Sequence, residues 1–152
     1  MEYKELGVDN GKTLLLLPGT CCNYQTNFGA ILEPLSAKYH LICVNYDGFD
    51  GTDTIFPDMI TVTEKIEQYL LEHYNGHIDG ALGSSLGGSF VGQLIKRQNI
   101  HMDHGIFGSS DLDEGSPFAA KLQTKIMYPL IASAAKNSKK QTTMRKLMIN
   151  FF

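Results

Sequence analysis

The stretch that decides the fold is Ile78-Asp79-Gly80-Ala81-Leu82-Gly83-Ser84-Ser85-Leu86-Gly87-Gly88, an apolar run that passes without a break into a small-residue cluster. Residues 78–82 read as a buried strand, and Leu86, Phe90 and Leu94 recur at four-residue intervals, the period of an amphipathic helix. The five residues Gly83 to Gly87 fit G-x-S-x-G, a sharp strand-to-helix turn that holds its middle residue in a strained conformation above a sheet. That turn tolerates only small residues two places either side of its centre. Ser85 has Gly83 and Gly87 there, whereas Ser84 would have Leu82 and Leu86, and Ser89 already falls inside the helix. Gly88 and Gly92 leave a helix face without side chains, which lets the helix lie close to the sheet.

On either side of this stretch, short apolar runs alternate with longer segments of helical period, the mark of βαβ units. Residues 13–17 form an unbroken apolar run ending at Pro18-Gly19, as a central parallel strand covered on both faces requires. Asn10-Gly11 reads as a hairpin turn joining that run to a strand near residues 3–6. Phe28, Ile31, Leu32 and Leu35 predict a helix that Pro34 splits or kinks. A strand is expected at 41–46, then a turn-rich loop at 47–51 in which Asp47, Asp50 and Asp53 take turn roles. Thr61-x-x-Glu64 reads as a capping box opening a helix that carries Val62, Ile66, Tyr69 and Leu70, closed by Asn75-Gly76. A further strand is expected at 105–107. Beyond it two amphipathic segments, 117–135 and 141–152, flank a basic run at Lys136, Lys139 and Lys140, read as a solvated turn.

The chain has 152 residues, 43% of them hydrophobic, enough for one globular domain with a core. A formal net charge of −3 provides no basic field for nucleic acid, so small neutral or amphipathic ligands are the expected partners. The N-terminal residues lack the basic start and apolar run of a secretory signal and no later stretch is long enough to span a bilayer, which predicts a cytoplasmic protein without a membrane span. Cys21, Cys22 and Cys43 have no metal-ligand spacing and read as reduced thiols; a redox or thiol site at Cys21-Cys22 is the weaker alternative. No cofactor and no metal site are expected.

Chemistry centres on Ser85. Its hydroxyl is the candidate nucleophile, against the alternative of a glycine-rich turn used only for packing; a phosphate loop is excluded because no Gly-Lys-Ser/Thr follows. Acyl transfer also needs N–H donors for the developing oxyanion. Leu86 supplies the first and Thr20, just past the apolar run 13–17, is the candidate for the second, with Cys21 close behind.

In their order LLLLPGT (14–20), LICVNYDGFDG (41–51), GALGSSLGG (80–88) and HGIFGSSD (104–111), these motifs resemble the α/β-hydrolase superfamily across about residues 10 to 111. The resemblance implies a mostly parallel sheet with helices on both faces, a core at 1–111 and a cap- or lid-like helical segment at 112–152. It implies a serine hydrolase acting on a small carboxylic ester, thioester or related acyl substrate, with Ser85 as nucleophile and Thr20 and Leu86 as oxyanion donors. The family often has His-Gly at the oxyanion loop, and Pro18 stands in place of that histidine. In this fold the acid and then the histidine follow the serine in sequence. No histidine follows His104, so the last strands, with the base, are expected to be missing from this chain and the chain itself to be slow or inactive. Asp111 is the candidate acid or pocket residue. Asp47, Asp50 and Asp53 are not expected to bind metal. An exposed sheet edge and apolar C-terminal helices predict a homo-oligomer. The competing class is a non-catalytic binding or assembly module that keeps the turn for its packing.

Overall fold

A computed structural model describes residues 1–110 together with Lys125 and Pro129. The chain divides after Leu112, and the first unit carries the strands and helices that build the sheet and its flanks. In order these are β1 (Glu2–Leu6), β2 (Thr13–Leu17), α1 (Tyr24–Ser36), β3 (His40–Asn45), α2 (Met59–Tyr74), β4 (His77–Ser84), α3 (Leu86–Arg97) and β5 (His101–Gly108).

The strands form one sheet in the order β1-β3-β2-β4-β5, parallel except for β1, which runs antiparallel to β3. β2 owes its central position to its composition. Leu15 and Leu17 point to one face and Leu14 and Leu16 to the other, so a leucine run is covered on both sides. On one face Leu15, Leu17, Ile42 and Val44 meet Val62, Ile66 and Leu70 of α2 and Phe90, Val91 and Leu94 of α3. On the other, Leu16, Leu41 and Cys43 meet Tyr24 and Phe28 of α1. Helices therefore cover both faces, as the sequence implied. Cys43 is buried, which pushes its thiol up to about 12 and leaves it inert at neutral pH.

Three local expectations need correction. β1 pairs with β3 and not with β2, because both edges of β2 are already occupied. The chain turns at Gly7, which has φ +64°, and Asn10 Nδ2 donates to Ser36 O at 2.8 Å, so Asn10 anchors a wider loop on the end of α1. α1 runs unbroken through Pro34, whose missing N–H forfeits only the one bond to Ala30 O, and the helix ends two residues later at Ser36. α2 begins one turn before the expected capping box: Asp58 is the N-cap, accepting from Thr61 N–H at 2.9 Å and Thr61 Oγ1 at 2.7 Å. Its other end matches the reading, with Asn75 left-handed at φ 51°.

α3 is fixed at its far end by Arg97, whose Nε donates to the buried Glu67 of α2 at 2.8 Å. Near its start, Phe90 is wholly buried, 5.0 Å from the Tyr46 ring and 6.5 Å from that of Phe56. Phe90 therefore ties α3 to the end of β3 and the loop after it. Phe90→Ala should cost about 3–5 kcal/mol in urea unfolding. Ile55→Ala, at a side chain 84% exposed, should stay within about 0.5 kcal/mol of the parent. Equal unfolding midpoints for the two variants would contradict this packing.

Candidate active site

β4 ends at Ser84 and α3 starts at Leu86, so the whole turn is made by Ser85, with φ 51° and ψ −115°. A side chain at positive φ is strained, and here the surroundings impose it. A Cβ on Gly83 would lie 2.3 Å from the Gly87 carbonyl carbon, and one on Gly87 only 1.8 Å from Leu17 O. The chain crosses itself and the end of β2 with no room for a methyl group. Gly88 has the same constraint from Ser110, whose Oγ would be 1.6 Å from an added Cβ.

Hydrogen bonds lock both ends of the Ser85 peptide. Its N–H donates to Gly108 O at 2.7 Å, and its carbonyl accepts from Gly88 N–H at 2.9 Å and from Ser110 Oγ at 3.0 Å. The side chain makes no helix cap and the residue is exposed. Leu86, the first residue of α3, has an N–H that no intrahelical carbonyl can reach, and it lies at the positive end of the helix dipole.

The loop after β2 lies directly against this turn. A methyl group on Gly19 would stand 3.4 Å from Ser85 Cβ and 3.3 Å from Ser84 O. Gly19 N–H donates to Asn27 Oδ1 of α1 at 2.7 Å, and Cys22 N–H to Gly19 O at 3.2 Å, which pins the loop at both ends. Between those pins, the N–H groups of Thr20 and Cys21 have no acceptor among the described residues, and Cys21 is held at φ 58°. Asn45 fixes α1 in turn, accepting from Tyr24 N–H at 3.0 Å while its Nδ2 donates to Glu2 at 2.8 Å. The sequence pattern points to Gly19 but carries no signal for the anchoring roles of Asn27, Asn45 and Ser110.

The remaining candidates are dispersed. Asp47 lies in the turn closed by Phe49 N–H to Tyr46 O at 3.0 Å, and its side chain is also an ion-pair partner: Lys65 Nζ donates to it at 2.7 Å and the Met1 amino group contacts its other oxygen. Lys65, with that amino group, holds the Asp47 carboxyl below the usual carboxylate range. Asp50 does serve a turn, accepting from Thr52 N–H at 3.0 Å. Asp111 and the segment 112–152, apart from Lys125 and Pro129, lie outside the described residues. His40 and His77 open β3 and β4, and His73 is in the last turn of α2. His101 and His104 lie inside β5 and not before it, since that strand starts four residues earlier than its apolar run. Among the described residues no histidine stands at the edge where Ser85 lies. The one group of three possible metal ligands among them, His77, His101 and Asp103, is at the opposite edge.

No known family model matches the sequence, and no curated protein does. Solved structures do. A Desulfitobacterium hafniense protein described as an α/β hydrolase family member superposes with a TM-score of 0.70 at 20% identity, over 86% of this chain and 54% of that one. MenH from S. aureus gives 0.69 at 17% identity, over 90% and 52%. A thermophilic esterase from Thermogutta terrifontis gives 0.69 at 19%, over 85% and 47%. The chain spans about half the length of these structures, and its fold is that of the α/β hydrolases. Among the described residues no helix is long and apolar enough to cross a membrane.

Among backbone contacts, the crossing at Gly87 is the tightest constraint on the turn. Gly87→Ala should destabilise the protein by more than about 1 kcal/mol in urea unfolding. Gly80→Ala should cost less, because its Cβ would press only on the flexible end of Leu14, at 3.2 Å, and would meet His104 O at an ordinary contact distance of 3.5 Å. A Gly87→Ala protein as stable as Gly80→Ala would contradict the close approach.

Proposed function

We propose that Ser85 is the nucleophile of a serine hydrolase acting on a small carboxylic ester, thioester or related acyl substrate. The observation that carries this is an exposed serine at positive φ, directly before Leu86 at the start of α3 and against the loop of Thr20, whose N–H has no acceptor among the described residues. Ser85 Oγ attacks the acyl carbon as its proton passes to a base, and the carbonyl oxygen takes up negative charge. Leu86 N–H, at the positive end of α3, and Thr20 N–H stabilise that charge without moving. Collapse expels the alcohol or thiol and leaves an acyl group on Ser85. Water attack on this ester releases the acid and regenerates the hydroxyl. Esterases and hydrolases among the solved structures of this fold support the reading.

The base lies outside residues 1–110 in this proposal. Asp111 is the candidate acid or pocket residue, and 112–152 the candidate cap. A homo-oligomer formed through the β5 edge is part of the same reading, supported by Ile106 and Phe107, 50% and 40% exposed on a strand at the end of the sheet. A single monomeric species in sedimentation velocity would overturn that part.

The second reading is a binding or assembly module that keeps the turn without the chemistry. It is favoured by the lack of a histidine at the Ser85 edge among the described residues. A fluorophosphonate probe separates the two. Labelling of the parent that persists in Ser84→Ala and disappears in Ser85→Ala is expected for the hydrolase. No labelling of this chain or of any longer form supports the module and contradicts the hydrolase.

A further inference from the structure

At the edge of the sheet far from Ser85, the parallel register of β4 and β5 sets His77 directly beside His101. Asp103 follows two residues later on β5, so its side chain leaves the same face as that of His101. The three side chains converge. His77 Nε2 and His101 Nε2 each lie 3.1 Å from one and the same oxygen, Asp103 Oδ1, and the two rings stack at 5.2 Å. All three residues are exposed, and one ligand atom from each falls within 4.8 Å of the others.

We propose that His77, His101 and Asp103 form a site for a divalent transition-metal ion, with Zn²⁺ the ion it fits best. Two imidazoles and a carboxylate are a donor set suited to zinc, which binds histidine nitrogen and carboxylate oxygen at about 2.0–2.2 Å. In tetrahedral geometry such bonds separate neighbouring donors by roughly 3.3–3.4 Å. The two N···O separations of 3.1 Å are already close to that value, and the exposed His101 ring needs to swing by no more than about 1.5 Å to complete it. Without an ion both rings must direct an N–H at one oxygen. With it, each Nε2 turns its lone pair to the metal and carries its proton on Nδ1, and a fourth position stays open to water. Surface exposure leaves an entry path.

The length of β4 puts this site roughly 20 Å from Ser85, too far to touch a substrate there. Its role is to clasp the outer strand β5 to β4, the strand that delivers Ser85 to the turn. The clasp is independent of what Ser85 does.

The test uses the full chain, stripped with a chelator and titrated with Zn²⁺ against a chromophoric competitor. Saturable 1:1 uptake in the micromolar range is expected, weakened more than tenfold by His101→Ala and by Asp103→Asn and unchanged by His73→Ala. Zn²⁺ should also raise the thermal midpoint of the parent but not that of Asp103→Asn, as binding to the folded state alone requires. Failure to saturate in the micromolar range would overturn the site. So would uptake unaffected by these variants, or Co²⁺ substitution giving intense thiolate charge-transfer absorption, which would assign binding to cysteine.

Discussion

The absence of any room for a side chain where Gly87 crosses Leu17 governs the arrangement around Ser85. The first turn of α3 lies so close to the end of β2 that a single Cβ would sit 1.8 Å from a carbonyl oxygen. Because a Cβ on Gly83 would also meet Gly87, at 2.3 Å, the chain has one residue in which to reverse from strand to helix. That residue bears the strain, of order 1–3 kcal/mol for a side chain at such a φ. The wholly buried contacts of Phe90, Val91 and Leu94 hold α3 in place, and Gly108 and Ser110 hold the Ser85 peptide from the β5 side.

Much of this architecture was legible because its signals are local. The leucine run of β2, the helical period after Ser85 and the glycines two places either side of it are each contained within a few neighbouring residues. The expectations that failed depended on which segments meet. Asn10-Gly11 carries a hairpin signal, but the neighbours of β2 are chosen by burial of its two leucine faces, which sends β1 out to β3. Thr61-x-x-Glu64 has the composition of a capping box, yet Asp58 competes for the same Thr61 N–H with a carboxylate and wins the cap.

The candidate site divides along the same line. Ser85 and Leu86 are adjacent in sequence, and their roles follow from one motif. The loop that brings Thr20 to them is held by Asn27, and α1 by Asn45, through contacts that no spacing in the sequence encodes. His77, His101 and Asp103 were passed over for the same reason, since ligands on neighbouring parallel strands are brought together by register and not by a short motif.

The two edges of the sheet differ in how their polar groups are satisfied. At the edge where the parallel strands begin, Glu5 accepts from Tyr69 and Tyr74 at 2.7 Å each and contacts His40 at 3.2 Å, while Asp79 accepts from Thr13 N–H at 2.7 Å. At the edge where they end, Ser85 is exposed, the loop at Gly19 lies against it, and the N–H groups of Thr20 and Cys21 have no acceptor among the described residues. A high-resolution crystal structure of the protein is the most direct test of this contrast. It should show Ser85 near φ +50° with Oγ open to solvent beside the Leu86 and Thr20 amides. A Ser85 at negative φ, or one whose hydroxyl is packed against α3, would contradict the account.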